Sequence, residues 1–228
     1  MKEASLWQIL SNSIAEAREG FGKKIIVTRY EDHSVEVEDF GRGIPVDFNQ
    51  KEQRYNWELV FCEMYAGGKY NNAQGGSYEY SLGLNGLGLG ATQYASEYMV
   101  VDIRSGGSRY TLHFEKGENV GGLHREDYKK KDTGTRIRWK PDLEVFTDIN
   151  VPAEYYLDII KRQAIVNDGV TFVFRNQSNG KFEETEFAYE NGIVDHAKEL
   201  AGEDSLTPVQ FWQTERKVQD PVCPPGPG

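Results

Sequence analysis

The chain has 228 residues, 38% of them hydrophobic, so it is long enough to form one large domain with a sizeable core. Its formal net charge of -10 argues against direct binding of a DNA or RNA backbone, because such surfaces need clustered lysine and arginine. The two cysteines, Cys62 and Cys223, give no disulfide framework, and no apolar stretch approaches the ~20 residues that cross a bilayer. We therefore predict a cytoplasmic protein without membrane contact.

The sequence of the first part of the chain predicts a helix, a β-hairpin and a second helix. Apolar residues recur at helical spacing over residues 6–18, and the pattern stops at Gly20, a residue type that commonly ends helices. Residues 24–30 and 34–39 then run apolar or alternate around a short polar turn, which is typical of paired strands. The second helix is predicted over residues 56–65.

The middle of the chain is rich in glycine. Residues 67–80 are turn-forming and predict a mobile loop, and residues 81–90, SLGLNGLGLG, hold four glycines in ten positions. A helix is predicted over residues 91–96. Three strand-like runs then predict a sheet, over residues 98–103, 108–114 and 135–139.

The last third adds two helices and a hairpin. The helices are predicted over residues 153–167 and 193–200, and the hairpin pairs residues 170–175 with residues 181–187. The final segment, PVCPPGPG, holds four of the eight prolines of the chain. Such a segment cannot form regular backbone hydrogen bonds, so we predict a disordered tail.

The glycine run allows two interpretations. Glycines let main-chain N–H groups approach an anion closely, and a following helix adds partial positive charge at its N-terminus, so the run is suited to phosphate. The second interpretation is a flexible turn, because such turns are also rich in glycine. The run does not match the G-x-x-x-x-G-K-[ST] phosphate loop, and no strand of a parallel βαβ unit precedes it.

Two polar patterns point to a possible ligand. Asp39 ends a predicted strand before a turn rich in glycine, and a buried carboxylate, which only accepts hydrogen bonds, could select adenine through its exocyclic amino group. Gln8, Asn12 and Glu16 share one face of the first helix, and Asn12 offers a hard oxygen suited to Mg²⁺. Both patterns also fit a solvated surface, and only a nearby ligand would give them a function.

Five stretches together resemble the ATPase domain of the bacterial gyrase B and topoisomerase IV B subunits, in the GHKL superfamily. They are LSNSIAEA at residues 10–17, VEDFGRGIP at 37–45, YAGGKY at 65–70, SLGLNGLG at 81–88 and DTGTRIRW at 132–139. The resemblance implies an α+β fold, a two-layer α/β sandwich in which helices cover one face of a mixed, mostly antiparallel sheet. It also implies that the chain binds ATP and Mg²⁺.

The resemblance implies a role for each matching residue. Asp39 takes the adenine amino group, helped by a water and by Thr135, while Arg42 lies over the adenine and pairs with Glu16. Asn12 ligates Mg²⁺ between the phosphates. The remaining residues implied to bind ATP are Gly43, Ile44 and Pro45 of the base pocket, Lys69 of the lid, and Gly83, Leu84, Asn85, Gly86, Leu87 and Gly88 around the phosphates.

The chain departs from the family pattern at the catalytic position. Gln8 stands where the family has the glutamate that acts as general base toward the attacking water. A carboxamide cannot take a proton at neutral pH, and losing such a base removes ~10²–10⁴-fold of rate. We predict impaired hydrolysis with nucleotide binding retained, unless the helix register is shifted by one turn. Ser11 and Ala15 also replace common acids, and Glu79 replaces a phosphate-contacting lysine.

The resemblance also implies domain boundaries. Residues 1–205 are expected to form the ATP-binding domain, residues 206–217 the beginning of a transducer domain, and residues 218–228 the disordered tail. The family's N-terminal arm, which reaches into the nucleotide site of the second B subunit, would precede Met1. We therefore expect this chain to be a monomer with and without nucleotide.

Partners are implied for the full-length enzyme. A gyrase A-type subunit, DNA and a second B subunit would act with it, and ATP binding would drive gate closure in DNA supercoiling or decatenation. Inhibitors that compete with ATP would occupy the adenine pocket. Two alternatives stay open: another GHKL ATPase, such as a histidine kinase or the mismatch-repair protein MutL, and a nucleotide-responsive interaction module that never hydrolyses ATP.

Overall fold

The structure of the chain is a computed structural model that describes residues 2–63, 88–202, 208–210 and 212. The helices in these ranges are α1 (Lys2–Arg18), α2 (Asn56–Cys62), α3 (Gly88–Tyr94), α4 (Ala153–Val166) and α5 (Ile193–Ala201). The strands are β1 (Lys24–Arg29), β2 (Val35–Asp39), β3 (Phe48–Asn49), β4 (Arg54–Tyr55), β5 (Ser96–Ser105), β6 (Ser108–Glu115), β7 (Glu118–Asn119), β8 (His124–Asp127), β9 (Gly134–Pro141), β10 (Thr171–Ser178) and β11 (Lys181–Ala188). None of the helices in this part of the chain is long and apolar enough to span a bilayer.

One large sheet organises the fold. Its path runs β11-β10-β1-β2-β9-β5-β6-β7, and β8 pairs with β6 beside this path. The β1–β10 pair is parallel, whereas the other pairs of this sheet are antiparallel. The two short strands β3 and β4 form a separate ribbon before α2. The prediction of a mixed, mostly antiparallel sheet is confirmed.

The helices cover one face of the sheet. Val37 of β2 and Ile137 of β9 are paired and lie in the same buried cluster as Leu10 of α1, which is 0% exposed. Burying a leucine of this kind contributes about 1.5–3 kcal/mol, which explains why the apolar stripe of α1 holds the helix on the sheet. The alternate residues of these strands are on the opposite face and are charged: Glu36, Glu38, Arg136 and Arg138.

Several predicted boundaries differ from the observed ones, and three of these differences concern the second helix, the helix after the glycine run and the last hairpin. The helix predicted over residues 56–65 ends at Cys62, because Glu63 is extended, with φ -116° and ψ 130°. The helix predicted over residues 91–96 already begins at Gly88 and ends at Tyr94, so that Ser96 starts β5. The last hairpin has a turn of only two residues, Asn179 and Gly180, whose φ values of 52° and 71° suit a tight hairpin turn.

Some predictions fall outside the described residues. They are the mobile loop over residues 67–80, the tail over residues 218–228 and most of the transducer start over residues 206–217. What the sequence predicts for these three segments therefore stays a prediction.

Candidate functional site

Asp39 is the last residue of β2, and its carboxylate is buried, with 7% of the residue exposed. Its Oδ1 accepts hydrogen bonds from the main-chain N–H groups of Gly41, at 3.0 Å, and Thr135, at 3.1 Å. Its Oδ2 accepts one from the hydroxyl of Ser13 on α1, at 2.8 Å. Burial raises the pKa of the Asp39 carboxyl, and these three donors oppose the rise. A carboxylate has about four acceptor positions, so Oδ2 can accept one more hydrogen bond.

The start of β9 approaches Asp39 closely because residue 134 is a glycine. Gly134 has φ +143°, and a Cβ there would contact the carbonyl oxygen of Asp39 and lie 2.9 Å from the Cα of Phe40. This approach brings the N–H of Thr135 to the carboxylate. The hydroxyl oxygen of Thr135 in turn accepts the N–H of Ile44 at 3.1 Å. Strand β9 therefore fixes the end of β2 and the turn that follows it.

Replacing Gly134 with alanine is expected to lower the free energy of unfolding by about 2–4 kcal/mol, because overpacking costs about 1–3 kcal/mol and the backbone conformation about 1 kcal/mol more. The measurement is urea denaturation followed by circular dichroism. Gly107→Ala is the matched control: Gly107 also has a positive φ, +75°, but nothing lies within 4 Å of the position that a Cβ would take there. An equal loss in both variants would show that the approach to Asp39 is not the cause.

Arg42 lies in the turn after β2 and is hydrogen-bonded to α1 and to the residue that follows it. Its Nε and Nη2 donate to the two carboxylate oxygens of Glu16, at 3.1 and 2.7 Å, and its main-chain N–H donates to the same side chain at 3.0 Å. Nη2 also donates to Glu19 at 2.7 Å. The guanidinium carbon lies 4.1 Å from the ring centre of Phe21. Because Glu16 is only 6% exposed, the carboxylate side of this ion pair is sheltered from solvent, whereas the arginine side is partly exposed.

The middle of α1 contacts α3. Gly88 begins α3 against the exposed side chain of Gln8, since a Cβ on Gly88 would lie 3.1 Å from the Cβ of Gln8. Asn12 donates from Nδ2 to the main-chain oxygen of Gln8 at 3.3 Å, so its Oδ1 is the atom able to ligate a cation. From Gln8 to Glu16 the helix rises by about 12 Å. The Asp39 turn and Gly88 thus meet α1 at opposite ends of an elongated site.

The structure brings most of the predicted site residues together. Besides those above, Gly43 and Ile44 are buried in the turn after Arg42, and Pro45 is half-buried beside them. Two parts of the prediction lie outside the described residues: Lys69, and the run Gly83, Leu84, Asn85, Gly86 and Leu87.

Sequence reasoning missed four residues of the site, namely Ser13, Glu19, Phe21 and Gly134. Ser13 carried a signal, because it lies one turn from Ile9 and from Ala17 on the buried side of α1, where a hydroxyl needs a buried partner. The other three carried no comparable signal, since none of them is a polar residue on the buried side of a predicted element.

Comparison of sequences finds relatives among topoisomerase subunits. The chain is 34% identical over 195 residues to the B subunit of the type 2 topoisomerase of Aquifex aeolicus, covering 86% of this chain and 24% of that protein. It is 32% identical over 193 residues to the B subunit of DNA topoisomerase 4 of Salmonella typhimurium, covering 84% and 30%. It is 34% identical over 215 residues to the B subunit of DNA gyrase of Thermotoga maritima, covering 94% and 33%. The chain thus spans between 24% and 33% of the length of these relatives.

Two solved structures share the fold. The 43K ATPase domain of Thermus thermophilus gyrase B, in complex with an aminocoumarin, has a TM-score of 0.73 at 27% identity, covering 87% of this chain and 49% of that one. The topoisomerase IV ATP-binding domain of Francisella tularensis, with a small-molecule inhibitor, has a TM-score of 0.69 at 29% identity, covering 82% and 86%. No family model matches the chain.

The fold is that of the GHKL ATPase domains. Within this class, the chain is a homologue of the gyrase and topoisomerase IV B subunits and matches their ATPase domain.

Proposed function

We propose that this chain binds ATP with Mg²⁺ in the site formed by α1, the turn after β2 and the start of α3. The observation that supports this most directly is the buried Asp39 carboxylate, whose Oδ2 can accept one more hydrogen bond. The amino group of adenine is a donor that fits this position. Guanine has a carbonyl oxygen there, which a carboxylate repels, so the site favours adenine.

The two ends of the elongated site would bind different parts of the nucleotide. Asp39, Arg42 and Thr135 lie at the end that would hold the base, with Gly43, Ile44 and Pro45 beside them. Gln8, with Gly88 beside it, lies about 12 Å along α1 from Glu16, and Asn12 lies midway, about 6 Å from each, so the phosphates would extend along this part of the helix. Bound Mg²⁺ would neutralise part of the phosphate charge.

Asn12 is the protein ligand for Mg²⁺ in this proposal. The described ranges hold no group of three histidine, cysteine, aspartate or glutamate side chains able to bind a metal. That composition fits a cation held mainly by phosphate oxygens and water, because Mg²⁺ normally keeps several waters and takes few protein ligands. Lys69 and the residues Gly83 to Leu87 complete the phosphate end in the proposal.

Calorimetric titration of this chain with ATP in excess Mg²⁺ tests the proposed function. One binding site is expected for ATP, and GTP is expected to bind at least about tenfold more weakly because its carbonyl faces the Asp39 carboxylate. Equal affinity for ATP and GTP would contradict the role of Asp39. Absence of ATP binding would contradict the proposed function.

ATP affinity is expected to fall as the pH is lowered through the pKa of Asp39, which burial raises above its ordinary value of 3.8. The protonated acid presents an O–H donor where adenine presents its amino group. The stability of the free protein has the opposite slope: the folded state holds this proton more tightly than the unfolded state, so the contribution is largest below the unfolded pKa and is lost as the pH rises through the folded pKa. Titrations and melting curves between about pH 4.5 and about pH 8 measure both slopes.

We further propose that hydrolysis by this chain is impaired, because Gln8 offers no base at the phosphate end of the site. The same observation favours a second candidate function, a nucleotide-responsive interaction module that binds ATP without turning it over. The two candidates predict different responses when a carboxylate is restored at residue 8.

The longer protein is proposed to be a type IIA topoisomerase B subunit, with residues 1–205 as its ATP-binding domain and residues 206–217 as the start of a transducer domain. ATP binding would close a protein gate, with an A-type subunit, DNA and a second B subunit as partners. The inhibitor complexes of the two structural relatives support the proposal that ATP-competitive inhibitors bind here. Displacement of ATP by an aminocoumarin tests that proposal.

A further inference from the structure

The guanidinium of Arg42 is held from several directions by residues at the end of α1. Glu16 accepts two of its hydrogen bonds, Glu19 accepts another from Nη2 at 2.7 Å, and the ring of Phe21 lies 4.1 Å from the guanidinium carbon. The hydrogen bonds fix where the group lies. The aromatic face adds a cation–π contact on a further side of the group.

The local sequence explains how Phe21 reaches this place. The N–H of Gly20 bonds to the carbonyl of Ala17 at 3.1 Å, and the N–H of Phe21 bonds to the carbonyl of Glu16 at 3.0 Å. With Gly20 at φ +90°, this is the hydrogen-bond pattern of a glycine-terminated helix cap. The cap turns the chain back toward Glu16, so the ring of Phe21 lies beside the residue that pairs with Arg42.

The side chain of Phe21 is also partly exposed to solvent. It is 41% exposed, so hydrophobic burial alone is a weak reason for a phenylalanine at this position. Its contact with Arg42 accounts for the aromatic ring. An arginine that is already fixed loses less rotamer entropy when it meets a ligand.

We infer that Phe21 and Glu19 are positioning residues that orient Arg42 for the base of the bound nucleotide. The inference rests on the proposed function, because it takes Arg42 to contact the base. It extends the site beyond the matched family motifs to residues at the end of α1. Their effect is confined to the base end and acts through Arg42.

The test compares ATP affinity by calorimetry in Phe21→Leu, Phe21→Tyr and Glu19→Gln. Phe21→Leu is expected to weaken ATP binding by about three- to fivefold, the loss of one exposed cation–π contact, and Glu19→Gln by about twofold. Phe21→Tyr, which keeps an aromatic face, is expected to stay within about twofold of the unchanged chain. Competition by inorganic tripolyphosphate, which has no base, is expected to be the same in all variants.

Two controls separate positioning from general damage. Phe182→Leu removes a similarly exposed ring, 48% exposed, from β11, and is expected to leave ATP affinity unchanged. In an Arg42→Met background, Phe21→Leu is expected to cost less than about twofold, because no cation then faces the ring. Melting temperatures are measured for every variant, and that of Phe21→Leu is expected to equal that of the unchanged chain.

The outcomes distinguish the inference from the proposed function. ATP binding by the unchanged chain with no loss in Phe21→Leu overturns the inference and leaves the proposed function standing. The same loss from Phe21→Leu with Arg42 present and in the Arg42→Met background overturns the role through Arg42. If the unchanged chain binds no ATP, both are overturned.

Discussion

Replacing Asp39 with asparagine is expected to weaken ATP binding by about 10- to 100-fold, the loss of about 1.5–3 kcal/mol for one hydrogen bond to a charged group. Asparagine has nearly the same shape but only one oxygen. If that oxygen accepts from Gly41 and Thr135, as Oδ1 of Asp39 does, then an NH₂ group faces the ligand. The amino group of adenine then meets a donor.

The melting temperature of Asp39→Asn is expected to be unchanged or higher at neutral pH. Burial opposes the charge of Asp39, as its raised pKa indicates, and asparagine removes that charge. The hydroxyl of Ser13 can accept from the new NH₂ group, so the buried contact on that side is kept. Calorimetry and thermal melting measure the two effects separately.

Asp102→Asn is the matched control for this variant. Asp102 is also a buried carboxylate, 4% exposed, but it lies on the opposite face of the sheet and pairs with Arg109 and Arg136. Its replacement is expected to lower the melting temperature and to leave ATP affinity unchanged. If Asp39→Asn binds ATP as tightly as the unchanged chain does, the base end of the site is misassigned.

Gln8→Glu is expected to raise the rate of ATP hydrolysis by about 10²–10⁴-fold and to change ATP affinity by less than about threefold. The change keeps the shape of the side chain and restores a carboxylate at the end of the site where Gly88 meets α1. A group that acts in the transition state alters turnover much more than ground-state binding. Phosphate release under single-turnover conditions measures the rate, and calorimetry measures the affinity.

Gln50→Glu provides the matched control, because it makes the same substitution at an exposed glutamine in the turn between β3 and β4, outside the site described above. Its turnover is expected to stay at the level of the unchanged chain. No gain in turnover for Gln8→Glu would favour the non-hydrolysing module instead, and an equal gain for Gln50→Glu would show that added charge alone is the cause.

The sequence by itself determined most of the helices and strands, and it placed the residues predicted for the site on those elements. The hydrophobic pattern is local, so α1, α4 and the long strands could be predicted within a few residues. Asp39 could be placed at a strand end, and Asn12 and Glu16 on one helix face, because both follow from the geometry of a single element. The short strand β8, HRED, was missed because all four of its residues are exposed and show no apolar alternation.

Only the tertiary structure decided how these pieces meet. Ser13 is 26 residues from Asp39 and Thr135 is 96 residues from it, yet both donate to the same carboxylate. The parallel pairing of β1 with β10 likewise joins strands that are distant in the chain. Hydrophobic periodicity reports which side of an element is buried, but it carries no information about the partner. That partner is chosen by packing and by the requirement that buried polar groups be hydrogen-bonded, which are properties of the whole folded chain.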